Sequence, residues 1–509
     1  MSDSISDTYF NGDEWKWINV VDVAKKKSKL YLSDDIWQGI KNTRSVVESI
    51  ANSGIPHYGI NTGLGALCHV ALDSSQLQKL SWHTLMSHAA GVGEPLKTEQ
   101  VRAIMCCAVI NFSHGCSGVN PSVVKRLIYL LNNDITPVVP SAGSVGYLSH
   151  MAHIGLSLIG EGEVNHEGDT LPTKEVYFQR GIEPVQLGAK DGLCIVNGTV
   201  AMTGLACLEL DAVTQLADWA DIVSAMSVEA LSGQLTAFDA SVLGKKKHKG
   251  MQTTGRNVRS LLEGSGVVSS NLGRHLQDAL SVRSIPQVHG ACRDQLSVAA
   301  QQIQNELNSV SDNPIVIYDN DNYRVVSQAN PHGESVAMAC DMLSIAVSEW
   351  GAISERRVFR LVTPHTSYLP AFLTPESGVK SGLMIAQYSA ASLACDTKKL
   401  AQPCVIENYL TSGMQEDHLS FGETSALQLH RAVSNVFYIL AIEYLSASQA
   451  FDLIEDKPFG NGTGVAWCQL RNKVKFYEEN HPIAIDIQQA YDLMRQSYSL
   501  DCFEPFIRK

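Results

Sequence analysis

The sequence predicts a mainly α-helical protein in which long helices pack side by side. Apolar residues recur at helical spacing over four long segments with few helix-breaking residues, at positions 122–133, 205–233, 335–362 and 427–454. Strand signals are few, and the one that stands out is "NYRVVSQ" at 322–328. Helices of this length usually form an elongated bundle, which the subunits of an oligomer often continue.

The glycine and proline content divides the chain into two parts. Roughly the first 200 residues carry more glycine, proline and loop-like sequence than the remainder. We therefore predict a smaller, loop-rich α+β active-site domain over residues 1–210. Residues 211–509 are predicted to form the long-helix bundle at the core of an oligomer.

Composition excludes several classes of protein. The chain has 509 residues, of which 45% are hydrophobic, and a net charge of −13. This size supports a large core, and the acidic balance argues against nucleic acid or an anionic membrane as partner. The N-terminus lacks a basic and apolar secretory signal, and no apolar run approaches the ~20 residues that span a bilayer. Twelve scattered cysteines without a CxxC pair indicate reduced thiols, so we expect a cytoplasmic location.

Three motifs place chemically useful side chains beside small residues. Tyr58 precedes a glycine-rich turn, "GINTGLG", whose spacing does not suit a phosphate loop but can aim a side chain into a pocket. His88 precedes the small-residue stretch "AAGVGEPL". His150 and His153, in "HMAH", share a helical face, but no further ligand follows at suitable spacing, so we predict no metal.

Ten segments, in chain order, resemble the aromatic amino acid ammonia-lyases, and most of all histidine ammonia-lyase. They are "YGINTGLG", "SHAAGVGEPL", "GSVG", "GEGE", "KDGLCIVNGT", "RSIPQVHG", "SDNPIV", "NPHGE", "SGLMIAQYSAASLA" and "TSGMQEDHLS". The resemblance runs from about residue 30 to the C-terminus. It implies the histidine/phenylalanine ammonia-lyase fold, with a central helical bundle. It also implies a homotetramer whose active sites are shared between subunits.

The chain departs from this family where the family forms its electrophile. Members carry Ala-Ser-Gly between "GSVG" and "DLAPLAH", and the tripeptide cyclises to a methylidene-imidazolone that makes the amino group leave. Here Gly146 is followed directly by Tyr147 in "GSVGYLSHMAH", and Ala-Ser-Gly occurs nowhere in the chain. Leu280 also replaces the tyrosine of the family's "PYS" segment. From this gap we predict that the protein uses no methylidene-imidazolone and no other cofactor.

The resemblance assigns roles to residues that handle the amino acid backbone of a substrate. Tyr58 matches the catalytic tyrosine that takes the β-proton, and its phenol must be held partly ionised to act at neutral pH. Arg283 matches the arginine that binds the substrate carboxylate, for which a guanidinium fork is well suited. Asn197 and Asn313 match polar residues that line the site, and Gln287 is a nearby candidate.

Other matches point to the ring of the substrate. His88 matches the position that reads the polar edge of the ring. Glu416 matches a glutamate of histidine ammonia-lyase, and a carboxylate can accept an imidazole N–H. Lys380 replaces the first residue of the family's "NSGFM" and could stabilise negative charge on a ring sulfur. Tyr147 either holds a trimethylammonium group against its aromatic face or only fills the space of the missing tripeptide.

These features predict an ergothionase-type elimination. A nitrogen that is already quaternised leaves as neutral trimethylamine, so the predicted reaction converts ergothioneine, the trimethyl betaine of 2-thiohistidine, to thiourocanate. Three alternatives stay open. The protein could be a histidine ammonia-lyase whose prosthetic group is omitted from the printed sequence. It could be a non-catalytic pseudoenzyme that binds imidazole compounds, or it could act on a histidine betaine without sulfur.

Overall fold

The computed structural model confirms the mainly α-helical class, with helices over about 60% of the chain. It describes residues 6–12, 14–63, 72–273, 276–319, 322–406, 408–455, 458–496 and 498–507. The twenty helices found there are α1 (Trp17–Ala24), α2 (Asp34–Ala51), α3 (Ser74–His88), α4 (Thr98–Ser113), α5 (Pro121–Asn132), α6 (Ser149–Leu158), α7 (Thr173–Arg180), α8 (Asp191–Val196), α9 (Val200–Ala230), α10 (Ala240–Leu243), α11 (Lys249–Leu261), α12 (Gly266–Ser270), α13 (Leu280–Arg283), α14 (Ile285–Leu307), α15 (Glu334–Val362), α16 (Pro364–Ser367), α17 (Met384–Leu400), α18 (Gly422–Asp452), α19 (Asn461–Arg471) and α20 (Ala484–Arg495).

The strands are short and form four small sheets within the described ranges. They are β1 (Ser6–Phe10), β2 (Ser28–Leu32), β3 (Val92–Pro95), β4 (Thr136–Pro137), β5 (Pro140–Ala142), β6 (Glu163–His166), β7 (Asp169–Pro172), β8 (Ile315–Asp319) and β9 (Asn322–Val326). β1 and β2 pair in parallel, whereas β3–β5, β4–β6–β7 and the hairpin β8–β9 are antiparallel. The predicted strand at 322–328 therefore corresponds to β9.

The chain forms two compact units. The first contains Met1–Asp211, Ala300–Asp341 and Pro403–Leu427, and the second contains Ala212–Ala299, Met342–Gln402 and Gln428–Lys509. The chain thus leaves the first unit close to the predicted boundary and returns to it twice. The division into an active-site domain and an oligomer core stays a prediction.

Each unit has a helical core. In the first unit, α4 is buried over fourteen consecutive residues, 100–113, as expected of a helix that is covered on all sides. In the second unit, Arg357 and Glu443 are both fully buried, and Arg357 Nη2 donates to Glu443 Oε2 over 2.9 Å. Ser227 and Ser354 also donate to this carboxylate, each over 2.5 Å. The charge of Glu443 is therefore fully hydrogen-bonded within the core.

In the part of the chain that the structure describes, two helical stretches are long and apolar enough to cross a membrane, by length and composition alone. They are Asp191–Ala230, which covers α8 and α9, and Glu334–Val362. The apolar window of the first is wholly buried inside the protein, and that of the second is 67% buried. Buried core helices have the same length and composition, so these stretches are weak indications of a membrane span.

Candidate active site

The turn that carries Tyr58 lies between α2 and α3 and depends on a glycine. Gly59 has a φ of +69°, and a Cβ there would lie 2.6 Å from Leu193 Cδ2 and 2.9 Å from Pro314 Cδ. A side chain at position 59 would therefore collide with two neighbouring segments. The close approach fixes the point at which the half-buried Tyr58 side chain leaves the backbone. The later part of the "YGINTGLG" motif, from residue 64, lies outside the described residues.

The turn that carries Tyr147 is held against the segment before α18. Gly146 has a φ of +130°, and a Cβ at this position would collide with the Ser420 hydroxyl. The backbone N–H of Phe421 donates to the carbonyl of Val145 over 3.0 Å. These contacts place the Tyr147 side chain beside residues that follow "QEDH", although the two segments are far apart in sequence.

The Tyr147 phenol lies close to the Glu416 carboxylate, near enough for the two groups to interact. Burial raises the pKa of Tyr147 well above its usual range, and the negative charge of Glu416 raises it further. Tyr58 and Glu423 lie close enough to add smaller increases to this pKa. Tyr147 is therefore a protonated donor at neutral pH, and it stands in one group with Tyr58 and Glu416.

His88, at the end of α3, faces the same carboxylate. Burial lowers the pKa of its imidazole, and this effect exceeds the opposing effects of the Thr84 backbone and of Glu416. The Ser87 hydroxyl lies 3.0 Å from His88 Nδ1. At neutral pH His88 is thus an uncharged ring that can donate through one nitrogen and accept through the other.

The two predicted asparagines are bonded to each other. Asn197, which caps the C-terminus of α8, donates from Nδ2 to the carbonyl of Asn313 over 2.9 Å. Asn313 Oδ1 accepts from the backbone of Gln328 over 2.9 Å. Asn313 precedes Pro314, which packs on Gly59, so the side-chain amides of Asn197 and Asn313 adjoin the turn of Tyr58.

The remaining predicted residues belong to the second unit. The half-buried Arg283 ends α13, and the exposed Gln287 lies in the first turn of α14. Lys380 precedes α17 and donates to Glu479 Oε1 (2.7 Å), to the Glu478 carbonyl (2.9 Å) and to Glu376 Oε1 (3.3 Å). Its hydrogen bond to Glu479 is the main reason why the pKa of Lys380 is raised.

Among the described residues, one group of side chains could hold a metal ion, and the sequence reasoning missed it. His332, Glu334 and His418 each offer a ligand atom, and these atoms lie within 4.8 Å of one another. His332 Nε2 lies 3.1 Å from His418 Nδ1. The motifs "NPHGE" and "QEDH" contain these residues, but His332 and His418 are 86 positions apart, and such a distance along the chain gives no spacing that indicates a metal site. His153, which the sequence places on one helical face with His150, is not part of this group, and its Nε2 accepts from the backbone N–H of Gly91 over 3.0 Å.

Comparison with known proteins gives extensive matches. The model of the aromatic amino acid lyase family matches residues 16–472. The histidine ammonia-lyase of Treponema denticola is 39% identical over 490 residues, which is 96% of each chain. The crystal structure of histidine ammonia-lyase from Trypanosoma cruzi is 33% identical, with a TM-score of 0.92, and the match covers 99% of this chain and 96% of that one.

A further solved structure is that of the ergothioneine-degrading enzyme ergothionase from Treponema denticola, in complex with desmethyl-ergothioneine sulfonic acid. It is 28% identical, with a TM-score of 0.92, and the match covers 97% of this chain and all of that one. These structures confirm the predicted histidine/phenylalanine ammonia-lyase fold.

The predicted absence of a methylidene-imidazolone is contradicted by these relatives. The family and its histidine ammonia-lyases use that group, which forms from Ala-Ser-Gly. The prediction depended on the three-residue gap and on the replacement at Leu280, whereas the similarity to these lyases extends over 96% of the chain. Gly146 and Tyr147 are adjacent and Ala-Ser-Gly does not occur here. The residues of this segment therefore do not supply the tripeptide.

Proposed function

This chain belongs to the aromatic amino acid lyase family and is a carbon–nitrogen lyase, and from that premise we propose that its substrate carries an imidazole ring. The observation that supports this proposal is the group formed by Glu416, Tyr147 and His88. The Glu416 carboxylate lies beside the protonated phenol of Tyr147 and near a neutral His88. A carboxylate beside a neutral ring can accept an imidazole N–H, whereas a phenyl ring offers no donor.

Within this class we propose ergothioneine as substrate and trimethylamine and thiourocanate as products. Tyr58 takes the β-proton, the electrons of the C–H bond form the C=C bond, and the electrons of the C–N bond leave with nitrogen. Trimethylamine departs as a neutral molecule. The aromatic ring of Tyr147 is suited to hold a trimethylammonium group before it leaves. Similarity in fold to a solved ergothionase supports this assignment.

The other predicted residues complete the proposal. Arg283 binds the substrate carboxylate, with Gln287 nearby, and Asn197 and Asn313 line the site beside Tyr58. Lys380 stabilises negative charge on the ring sulfur. Family members are typically homotetramers, and we propose that this chain forms one, with active sites shared between subunits. A cytoplasmic location stays a prediction.

A second candidate is histidine ammonia-lyase activity, which converts L-histidine to urocanate and ammonia. The observation that favours it is the greater identity, 39% to a histidine ammonia-lyase against 28% to ergothionase. Both candidates use the same ring site and differ in the amine that is released.

A parallel assay of the purified protein with ergothioneine and with L-histidine tests both candidates. Trimethylamine, ammonia and the absorbance of the conjugated acrylate are measured. Trimethylamine from ergothioneine, with no ammonia from L-histidine, supports the first candidate, and the reverse result supports the second. No turnover of either substrate would refute both.

Two variants test the assigned roles. Tyr58→Phe should lower kcat by about 10²–10⁴-fold, because it removes the general base. Lys380→Met should slow the thiolated substrate far more than the sulfur-free histidine betaine. Equal effects on the two betaines would remove Lys380 from the proposal.

A further inference from the structure

A buried carboxylate lies beside the turn of Tyr147 without the partners that buried charges normally have. Glu423, Ser420 and His150 are each 1% exposed. Among the described residues, neither oxygen of Glu423, nor His150 Nδ1, nor the Ser420 hydroxyl has a hydrogen-bond partner. Because most buried polar atoms are hydrogen-bonded, four such atoms around one turn indicate a site for a ligand that carries donors.

The fold holds Glu423 rigidly in this position. It is the second residue of α18, where the unpaired backbone N–H groups of a helix favour a negative charge. A Cβ on the preceding Gly422 would collide with Met202, so the start of the helix is tightly packed. The Phe421 backbone hydrogen bond ties this helix start to the turn of Gly146 and Tyr147.

The nearest group that could balance the charge is His150. Its Nδ1 lies 3.9 Å from Glu423 Oε1, which is too long for a hydrogen bond, and an imidazole is charged only when it is protonated. His150 also stands where the family segment "DLAPLAH" has a proline, so this pairing is a feature of the present chain. A cation with N–H groups would satisfy the carboxylate oxygens and the neighbouring acceptors together.

We propose that Glu423, with His150 and Ser420, forms a binding subsite for the protonated amine that the lyase releases. The inference rests on the proposed function, because the amine is the leaving group of that reaction. Glu423 lies within electrostatic range of the Tyr147 phenol, next to which we place the nitrogen of the substrate. Once the neutral amine has left carbon, it takes up the proton that Tyr58 removed from the β-carbon, and the resulting ammonium moves to Glu423, whose carboxylate accepts its N–H.

The experiment measures binding rather than turnover. Trimethylammonium, ammonium and tetramethylammonium chlorides are titrated into the full-length protein at constant ionic strength, and affinity is followed by calorimetry and thermal shift. Trimethylammonium has one N–H and tetramethylammonium has none. The wild-type protein should therefore bind trimethylammonium more tightly than tetramethylammonium.

The test variant is Glu423→Gln, which keeps the shape of the side chain and removes its charge. Its affinity for trimethylammonium should fall at least about tenfold, and the preference over tetramethylammonium should disappear. Glu161→Gln, at an exposed carboxylate of the same unit, is the matched control and should bind as the wild type does. Without ligand, Glu423→Gln should melt at or above the wild-type temperature, because it relieves an unpaired charge.

The proposal is overturned if the wild type does not bind these cations, or if Glu423→Gln binds them unchanged. A lowered melting temperature of Glu423→Gln would also overturn it, because it would show that the carboxylate is already paired. If Glu423→Gln does not fold, Glu423→Asp, which withdraws the charge by one methylene, should weaken binding by about three- to tenfold. Amine binding at Glu423 in a protein inactive on both substrates would refute the proposed function and leave the subsite standing.

Discussion

Replacing Lys190 with methionine should destabilise the first unit strongly, because it leaves a carboxylate buried without its counter-charge. Lys190 and Asp312 are both fully buried, and their charged atoms lie 2.9 Å apart. The Lys190 ammonium also donates to the Ser117 carbonyl over 2.9 Å and to Cys194 Sγ over 3.2 Å. Removing one partner of such a pair costs about 3–5 kcal/mol in free energy of unfolding.

The assay is equilibrium unfolding in urea, followed by circular dichroism. The control is Lys25→Met, whose partner Asp211 lies 2.6 Å away in a pair with side chains 29% and 17% exposed. That change should cost about 1 kcal/mol or less. The double variant Lys190→Met/Asp312→Leu should recover most of the loss. A loss below about 1 kcal/mol for Lys190→Met, or a double variant no better than the single one, would refute this reasoning.

The same pair predicts how stability changes in alkaline solution. Burial lowers the pKa of Lys190, but the charges and hydrogen bonds of Asp312 and Cys194 together more than offset this effect and raise the pKa from 10.5 to about 12. The charged form is therefore favoured in the folded state. Its contribution, about 2 kcal/mol, is fully present below pH 10.5 and is lost as the pH rises through about 12. Stability should fall more steeply over this range in the wild type than in Lys190→Met.

Three further predictions concern the candidate active site. Gly59→Ala should lower the free energy of unfolding by about 1–3 kcal/mol more than Gly54→Ala does. Both glycines have φ near +70°, but only a Cβ at position 59 meets neighbouring atoms. Equal losses of the two variants in urea unfolding would contradict this reasoning. The imidazole of His88 should titrate below pH 6.5 by NMR, because burial lowers its pKa. This group should therefore reduce stability as the pH falls below 6.5. A titration midpoint at or above pH 6.5 would contradict the effect of burial on this ring. Tyr147→Leu should raise the apparent KM for ergothioneine by about 2–30-fold through loss of the aromatic face. Tyr147→Phe, which loses only the hydroxyl beside Glu416, should raise it less. An unchanged KM for Tyr147→Leu would reject the contact.

The helices were predictable because their signal is local. Apolar periodicity at 122–133 corresponds to α5, which begins one residue earlier behind the cap of Asn120, whose side chain accepts from the backbone of Ser122. The segment 335–362 matches α15 to within one residue. The small sheets were largely missed, because β3 and β5 are short strands that pair across two intervening helices and the strand β4. Pairing between distant segments leaves no periodic trace in either segment.

The gap after Gly146 is a local feature of the sequence, and the prediction that it led to about the prosthetic group was wrong. The absence of a tripeptide is a fact of the sequence, but it led to a prediction about the prosthetic group that comparison with relatives contradicts. The motifs, by contrast, identified the family correctly, because ten segments in the same order are far more specific than one gap.

The sequence by itself determined the helical class and the family, and it predicted which residues carry the chemistry. The tertiary structure alone decided which side chains meet: that Tyr147 lies beside Glu416, that His332 lies against His418, and that Glu423 is buried beside the same turn. The physical reason is one of range. Periodicity and caps act within a few residues along the chain. Hydrogen bonds and charge interactions act over a few ångströms in space, and only the folded backbone brings residues some 270 positions apart within that distance.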